Sequence, residues 1–278
     1  MKVAVLSGKG GAGKTCISVN LAALADQGIY IDCDVEEPNG RLFLKPEIKE
    51  QLEVYKSLPE FDAGKCNGCR ECVDFCRFNA LIYIKEKPKV FDEVCHSCGG
   101  CMLVCPSKAI TERNRAIGMV EIGTAGTTKV VTGILNTGEA SGVPVIKKAL
   151  ELGDESNRFI VIDCPPGSAC SVTESITDAD YCIIVAEPTA FGFHNFQMVH
   201  RLTKLLHKPS GVVINKVEEL YQPLEKYCKE ENLEILSRIP YSKEAAKRIS
   251  EGKLLIHTDD VFQEAMMQVL RKIGGDRQ

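Results

Sequence analysis

The stretch GKGGAGKT, Gly8–Thr15, closes the apolar run KVAVLS and opens the helically spaced run KTCISVNLAALADQG. A glycine-rich turn between those two patterns commits the start of the chain to a strand–loop–helix unit. It also sets the chemistry. With no side chains at Gly8, Gly10, Gly11 and Gly13, backbone N–H groups can close around phosphate oxygens, and the helix N-terminus favours their charge. Lys14 is placed to reach the terminal phosphates of a nucleotide, and the Thr15 hydroxyl to bind Mg²⁺.

The rest of the chain extends that unit in two pieces. IYIDCD is a second buried-strand run, and FIVIDCPPG, YCIIVAEP and GVVINK are three more. Helical patterns separate the later ones: VTESITDA, FHNFQMVHRLTKLLH and ELYQPLEKYCKEE. Alternation of this kind implies an α/β fold, a mostly parallel, doubly wound sheet around the phosphate loop. Between about Phe61 and Arg113 the texture changes to cysteine, glycine and charge. The expected organisation is therefore a first P-loop segment at 1–60, a small α+β insert at 61–114, and a second P-loop segment at 115–278. The run DDVFQEAMMQVLRKIGG reads as a closing amphipathic helix with too little positive charge for membrane targeting.

The insert holds eight of the fourteen cysteines. Disulfides are unexpected in a reducing compartment, so clustered cysteines point to metal. The compartment is expected to be the cytoplasm. Met1–Leu6 is a charged, strand-like stretch and not a secretory signal, and no apolar run approaches the ~18 residues of a membrane span. A formal net charge of −4 argues against a dedicated nucleic-acid binder. Cys66, Cys69, Cys72 and Cys76 follow the spacing C-x2-C-x2-C-x3-C, and Cys95, Cys98, Cys101 and Cys105 repeat it before Pro106. Zinc ribbons usually need two pairs of cysteines, and two complete four-cysteine runs exceed that.

The double run resembles the bacterial ferredoxin signature, in which the fourth cysteine ligates the other cluster. That likeness implies two [4Fe–4S] clusters, one on Cys66, Cys69, Cys72 and Cys105, the other on Cys95, Cys98, Cys101 and Cys76. Arg77 stands where the second run has Pro106, which changes the turn but removes no ligand. His96 is read as exposed filler.

KGGxGKT, with Lys9, resembles the deviant phosphate loop of the MinD/ParA/Mrp ATPases and the nitrogenase iron protein. In that family the extra lysine crosses a nucleotide-sandwich dimer to the partner's phosphates. The resemblance implies a homodimer, or a heterodimer with a related ATPase. It makes YIDCDVEEPN similar to switch I, with Asp34 beside the attacking water and Asp32 in support. VIDCPPG is similar to switch II, with Asp163 on Mg²⁺ and Gly167 approaching the γ-phosphate. VVINK places Asn215 at the adenine edge, and RIPY places Pro240 against the base. Cys16 stands either with the nucleotide contacts, beside Thr15, or with Cys33, Cys182 and Cys228 as a core thiol. Cys170 is either a small buried thiol or linked to the switch.

The implied function is an ATPase coupled to electron transfer or iron–sulfur cluster delivery. Two complete cysteine runs favour electron transfer, and the lack of a C-terminal CxxC weighs against an Mrp-like carrier. The alternative is a MinD/ParA-like positioning switch whose clusters are structural or redox-sensing. The redox partner or cluster client is not named by the sequence.

Overall fold

In the computed structural model, which describes residues 1–85 and 87–274, the first apolar run is a buried strand, β1 (Lys2–Leu6). Its side chains alternate between two cores, Val3 and Val5 on one face and Ala4 and Leu6 on the other. Burial on both faces is what a parallel strand between helix layers requires. Helix α1 (Lys14–Leu24), strand β2 (Ile29–Asp32), the short α2 (Gly40–Leu44) and the long β3 (Glu47–Phe61) follow. Beyond β3 come α3 (Glu71–Phe75), β4 (Leu81–Ile84), β5 (Lys87–Val90) and α4 (Gly100–Leu103). The chain returns along β6 (Ile110–Ala125) and β7 (Thr128–Leu135). It then alternates through α5 (Val143–Gly153), β8 (Ile160–Asp163), α6 (Cys170–Ile176), β9 (Tyr181–Ala186) and α7 (Ala190–Leu205). It ends with β10 (Ser210–Val217), α8 (Gln222–Glu230), β11 (Glu234–Pro240), α9 (Lys243–Ser250) and α10 (Asp260–Ile273).

Nine strands form one sheet in the order β11-β10-β9-β1-β8-β2-β7-β6-β3. From β11 to β7 every neighbouring pair is parallel. Helices cover both faces, as the alternation predicts. One core packs Ile146, Val172, Phe196 and Leu224 of α5–α8 against the sheet, and the other packs Ile17 and Leu21 of α1 with Met266 and Leu270 of α10. The C-terminal amphipathic face is thus buried in the domain. The last residues of the expected second P-loop segment, 275–278, lie outside the described residues. No described helix is long and apolar enough to cross a membrane.

The antiparallel edge was not foreseen from the sequence. β6 pairs with β7 only from Gly118 onward, while its pairing with β3 continues to Phe61↔Ile110. The two strands therefore leave the sheet together as a ribbon. The departure coincides with a register shift, Val54 opposite Gly118 but Tyr55 opposite Ala116, which leaves Ile117 as the bulged residue. Bulges bend a strand and raise its twist. Ile117 is fully buried in the domain core, so the bend is anchored.

Residues 62–85 and 87–109 occupy the end of the ribbon, where a small separate core is built on Cys72, Leu81 and the ribbon's Ile110, with Phe61, Val73 and Val90 packed against it. β4 and β5 form a separate hairpin. The repeat seen in the cysteine spacing is also a repeat of backbone shape. Gly68 and Ser97, Arg70 and Gly99, and Asn79 and Lys108 occupy matching positions in the two runs, and all six have positive φ, between 50° and 73°.

Candidate functional site

The strand ends of β1, β2, β8 and β10 point into one cavity of about 920 Å³, where open α/β sheets bind ligands. Gly10, Gly11, Gly13, Lys14, Thr15, Cys16, Asp34, Asn215 and Pro240 line it. Gly13, at φ 97°, is the turn into α1. A Cβ there would lie 2.2 Å from Asn215 Nδ2, so this glycine also admits the Asn215 side chain. That amide donates to the Ala12 carbonyl at 2.9 Å and ties β10 to the loop.

Behind the loop sits a buried charge network. Lys14 Nζ donates to Asp163 Oδ1 at 2.6 Å and lies 3.7 Å from Asp34. Ser18 Oγ donates to the same Asp163 oxygen at 3.1 Å. Tyr30 OH lies 2.9 Å from Asp163 Oδ2 and 3.1 Å from Asp32 Oδ2. Asp32 accepts from the backbone N–H of Asp34 at 3.2 Å and of Gly40 at 3.0 Å, so it holds the loop that presents Asp34. Burial opposes the Lys14 charge, but Asp163, Asp34 and Asp32 outweigh it and raise its pKa above the usual lysine value. Burial, then repulsion from Asp163, raises Asp32. Burial pushes Asp34 up to about 6, with Lys14 pulling the other way and Asp163 adding to the rise. Three carboxylates thus face one ammonium. Asp163 and the Thr15 hydroxyl are oxygen donors of the kind that a hard divalent cation takes.

The remaining expected residues stand around this pocket. Gly8 packs on α7, where a Cβ would lie 2.3 Å from the Asn195 carbonyl oxygen. The Gly167 N–H donates to Ser7 O at 2.9 Å, with φ 95°. Cys16 is buried, and burial lifts its thiol to about 12. Cys33, Cys182 and Cys228 are buried, whereas Cys170 is exposed at the start of α6. Lys9 forms an ion pair with Glu187 and lies over the Phe191 ring, 5.6 Å from its centroid.

Sequence reasoning passed over Tyr30, Ser18, Glu187 and Lys216. Lys216 Nζ donates to Gly11 O at 2.6 Å and to Glu187 at 2.7 Å, so it braces the phosphate loop. Its signal was its position directly after Asn215, and that of Glu187 was a carboxylate at a strand end, as at Asp163.

At the ribbon tip, two cavities are lined by four cysteines each. Cys66, Cys69, Cys72 and Cys105 share one, and Cys76, Cys95, Cys98 and Cys101 share the other. Backbone N–H groups already point at sulfur, Ser97 to Cys95 at 3.5 Å and Ala109 to Cys105 at 3.3 Å. Burial works against ionising Cys105, but the Ala109 amide and the Ser107 hydroxyl outweigh it and lower its pKa. Burial raises Cys101 to about 11, with further repulsion from Cys95 and Cys98. The Ser97 hydroxyl is buried without a protein partner in the Cys95 turn. Successive left-handed turns that aim N–H groups inward are the backbone form that receives anions and iron–sulfur groups. Among the described residues, no three His, Cys, Asp or Glu side chains are gathered for a single metal ion. His96 stacks on Phe78 with ring centroids 3.9 Å apart.

Comparison with known proteins bears on the first of these sites. The sequence profile of the CobQ/CobB/MinD/ParA nucleotide binding domain matches residues 3–256. The chain is 29% identical over 280 residues to an uncharacterized protein of Methanocaldococcus jannaschii, covering 98% of this chain and 96% of that one. It is 26% identical over 293 residues to the iron-sulfur cluster carrier protein of Pyrococcus abyssi, covering 98% of this chain and 85% of that protein. Its fold is similar to that of the septum site-determining protein MinD of Pyrococcus horikoshii, solved with Mg-ADP. There the TM-score is 0.60 at 15% identity, over 99% of this chain and 96% of the other.

Proposed function

The chain belongs to the CobQ/CobB/MinD/ParA nucleotide-binding family, a family of P-loop ATPases, and from that premise we propose that its nucleotide cycle gates electron transfer or cluster delivery at two [4Fe–4S] clusters. The observation that carries the proposal is the sorting of eight cysteines into two four-sulfur cavities, each taking its fourth cysteine from the other run. Cys66, Cys69, Cys72 and Cys105 would hold one cluster, and Cys76, Cys95, Cys98 and Cys101 the other. When bound, such clusters supply one-electron reduction and oxidation. Complete four-cysteine sets leave no open ligand position, which supports electron transfer over loosely held cargo. The iron-sulfur name of the Pyrococcus abyssi relative agrees with the presence of clusters.

At the nucleotide pocket, ATP binding turns Lys14 from Asp163 to the phosphate oxygens. Thr15 and Asp163 would then hold Mg²⁺. Gly8, Gly10, Gly11 and Gly13 let the loop close on phosphate, and Gly167 lets the backbone reach the γ-phosphate. Asp34 orients the attacking water and accepts its proton. Asn215 Nδ2 is committed to Ala12, so its Oδ1 is the atom left to accept from the adenine amino group, with Pro240 against the base. Cys16 fills the floor beneath Thr15. Lys9 leaves Glu187 for the phosphates bound by a second copy or a related ATPase.

The test is the metal content of anaerobically purified protein. About eight iron and eight acid-labile sulfide per chain are expected, as two four-iron clusters require. Stoichiometric zinc without sulfide overturns the proposal.

A further inference from the structure

We infer that loop 136–142, through Glu139, is the joint by which the nucleotide pocket acts on the Cys76/Cys95/Cys98/Cys101 cavity, and that Glu139 positions the Cys95 turn. The inference rests on the proposed function and narrows it to one of the two cavities.

The connection begins beside Asp34. Leu135 N donates to the Val35 carbonyl at 2.8 Å, so the end of β7 is bonded to the residue that follows Asp34. At its other end the loop returns to the same place, because a Cβ on Gly142 would lie 2.5 Å from Val35 Cγ2, and Gly142 lines the nucleotide cavity. A shift of Asp34–Val35 on γ-phosphate binding therefore meets the loop at both ends.

From the loop, contacts run to the root of the ribbon. Asn136 N donates to the carbonyl of the bulged Ile117 at 2.8 Å, and Asn136 Nδ2 to Ala116 O at 3.4 Å. Glu139 accepts from Lys56 at 2.7 Å and forms an ion pair with Arg115 at 3.0 Å, bridging β3 and β6 just beyond the bulge. The Glu139 and Lys56 side chains are 3% and 7% exposed, so this is a buried bridge and not a solvated surface pair. The bridge ends on the cysteine turn. Lys56 Nζ also donates to Cys95 O at 3.3 Å, and Arg115 pairs with Glu93 at 3.1 Å. Among the described residues, no hydrogen bond or ion pair from this loop reaches the Cys66–Cys72 turn.

Arg115 Nη1 is buried without a partner. A buried donor lacking an acceptor is costly, so a shift of the loop that brought it one would offset part of its own cost. An element with two arrangements, biased from one site and felt at another, is the physical requirement for coupling. Glu139 also neutralises Lys56 beside the Cys95 carbonyl. Removing its charge leaves a cation at that turn and favours the more negative, reduced state of whatever the four sulfurs hold.

The experiment uses the anaerobically purified holoprotein with and without Mg²⁺ and a non-hydrolysable ATP analogue. Amide hydrogen exchange is followed in peptides covering 92–101 and 63–72, and both cluster potentials are titrated by electron paramagnetic resonance. In the wild type, nucleotide should alter exchange in 92–101 and leave 63–72 unchanged. In Glu139→Gln, nucleotide should still bind, the difference in 92–101 should disappear, and one cluster potential should rise. Glu139→Asp, which keeps the charge, should retain the nucleotide response. A response that survives in Glu139→Gln, or that is equal in the two peptides, overturns the joint. A wild type that binds nucleotide with no change in either peptide or either potential overturns nucleotide gating itself, and the joint with it.

Discussion

Lys14 is held by Asp163 and Asp34, and the proposed function asks it to meet the phosphates as well. Among the described residues it is the one ammonium paired with Asp163 and Asp34, and it is almost fully buried. Truncating it leaves carboxylates without their counter-charge, for which breaking a buried pair typically costs about 3–5 kcal/mol. Lys14→Ala should therefore lose ATP binding in calorimetry and also unfold at markedly lower urea without nucleotide. Gly13→Ala should lose binding for a steric reason, since the methyl group meets Asn215 Nδ2 in a left-handed backbone. Asp34 adds a pH dependence. Burial raises its folded pKa to about 6, above the ordinary ~3.9 of an unfolded aspartate. Its contribution to stability is thus present below about pH 4 and lost as pH rises through about 6. Without nucleotide, the melting temperature of Asp34→Asn minus that of the wild type should grow across this window, as thermal scans from pH 4 to pH 8 would show. Turnover should move the other way, falling as pH drops below about 6, because a protonated Asp34 cannot accept the proton from water. Parallel pH profiles for wild type and Asp34→Asn would refute both roles. The charge network was half legible in the sequence. Asp34 and Asp163 stood out as acids at strand ends beside a phosphate loop. Tyr30 and Ser18 did not, because a tyrosine in a strand and a serine in a helix carry no signal until the fold brings them to Asp163.

At the scale of elements, legibility followed burial. The parallel strands read as continuous apolar runs because both of their faces are covered. β3 did not, since EIKEQLEVYKSLPEF is an edge strand with most of its first half in solvent, and its charges protect an exposed edge. β6 was hidden by the same composition, and with it the ribbon. At ~3.3 Å per residue, the seven residues of β3 beyond the bulge, Tyr55–Phe61, reach about 23 Å past the sheet, and the cysteine turns pack around that projection. The spacing of the two cysteine runs was fully legible, and the pairing of each fourth cysteine with the opposite run appears in the cavity linings. What the spacing could not show was the bend. Ile117 plugs the ribbon root into the core at the bulge. Ile117→Ala should cost about 2–5 kcal/mol, the usual range for emptying a buried branched side chain, and should loosen the ribbon more than the sheet. Denaturant titration gives the first quantity and hydrogen exchange in β3 against β8 gives the second. A loss spread evenly over both strands would remove the bulge from its role as anchor. Cys72→Ser and Cys101→Ser should each damage one of the two clusters, leaving roughly half of the ~8 iron expected for two four-iron centres. Loss of all iron in both variants would mean one shared centre.

For the whole molecule, the open question is whether one chain makes a complete site. Gly10, Gly11, Gly13, Lys14, Thr15, Asp34, Asn215 and Pro240 line the nucleotide pocket, and Lys9 does not. Lys9 is turned out onto Glu187 and the Phe191 ring. Phe191 is 66% exposed, so the lysine rests on a surface that a second molecule can cover. The Lys9 side chain is 26% exposed and has solvent on one side, so it can leave Glu187 without crossing the core. Glu187 keeps a partner when Lys9 leaves, since Lys216 remains on it and on Gly11 O. The loop can therefore hold its shape while Lys9 moves. Lys9→Ala should accordingly bind ATP with near wild-type affinity as a single chain, yet lose nucleotide-dependent dimerisation and slow hydrolysis together. Sedimentation with a non-hydrolysable analogue measures the first loss and steady-state phosphate release the second. Lys14→Ala is the contrast, losing binding before either. Should Lys9→Ala dimerise and turn over as the wild type does, the catalytic site lies within one chain, and the exposed surface around Phe191 does not receive a partner's nucleotide. Should it weaken ATP binding in the monomer instead, Lys9 leaves Glu187 for its own nucleotide and the shared site is equally excluded.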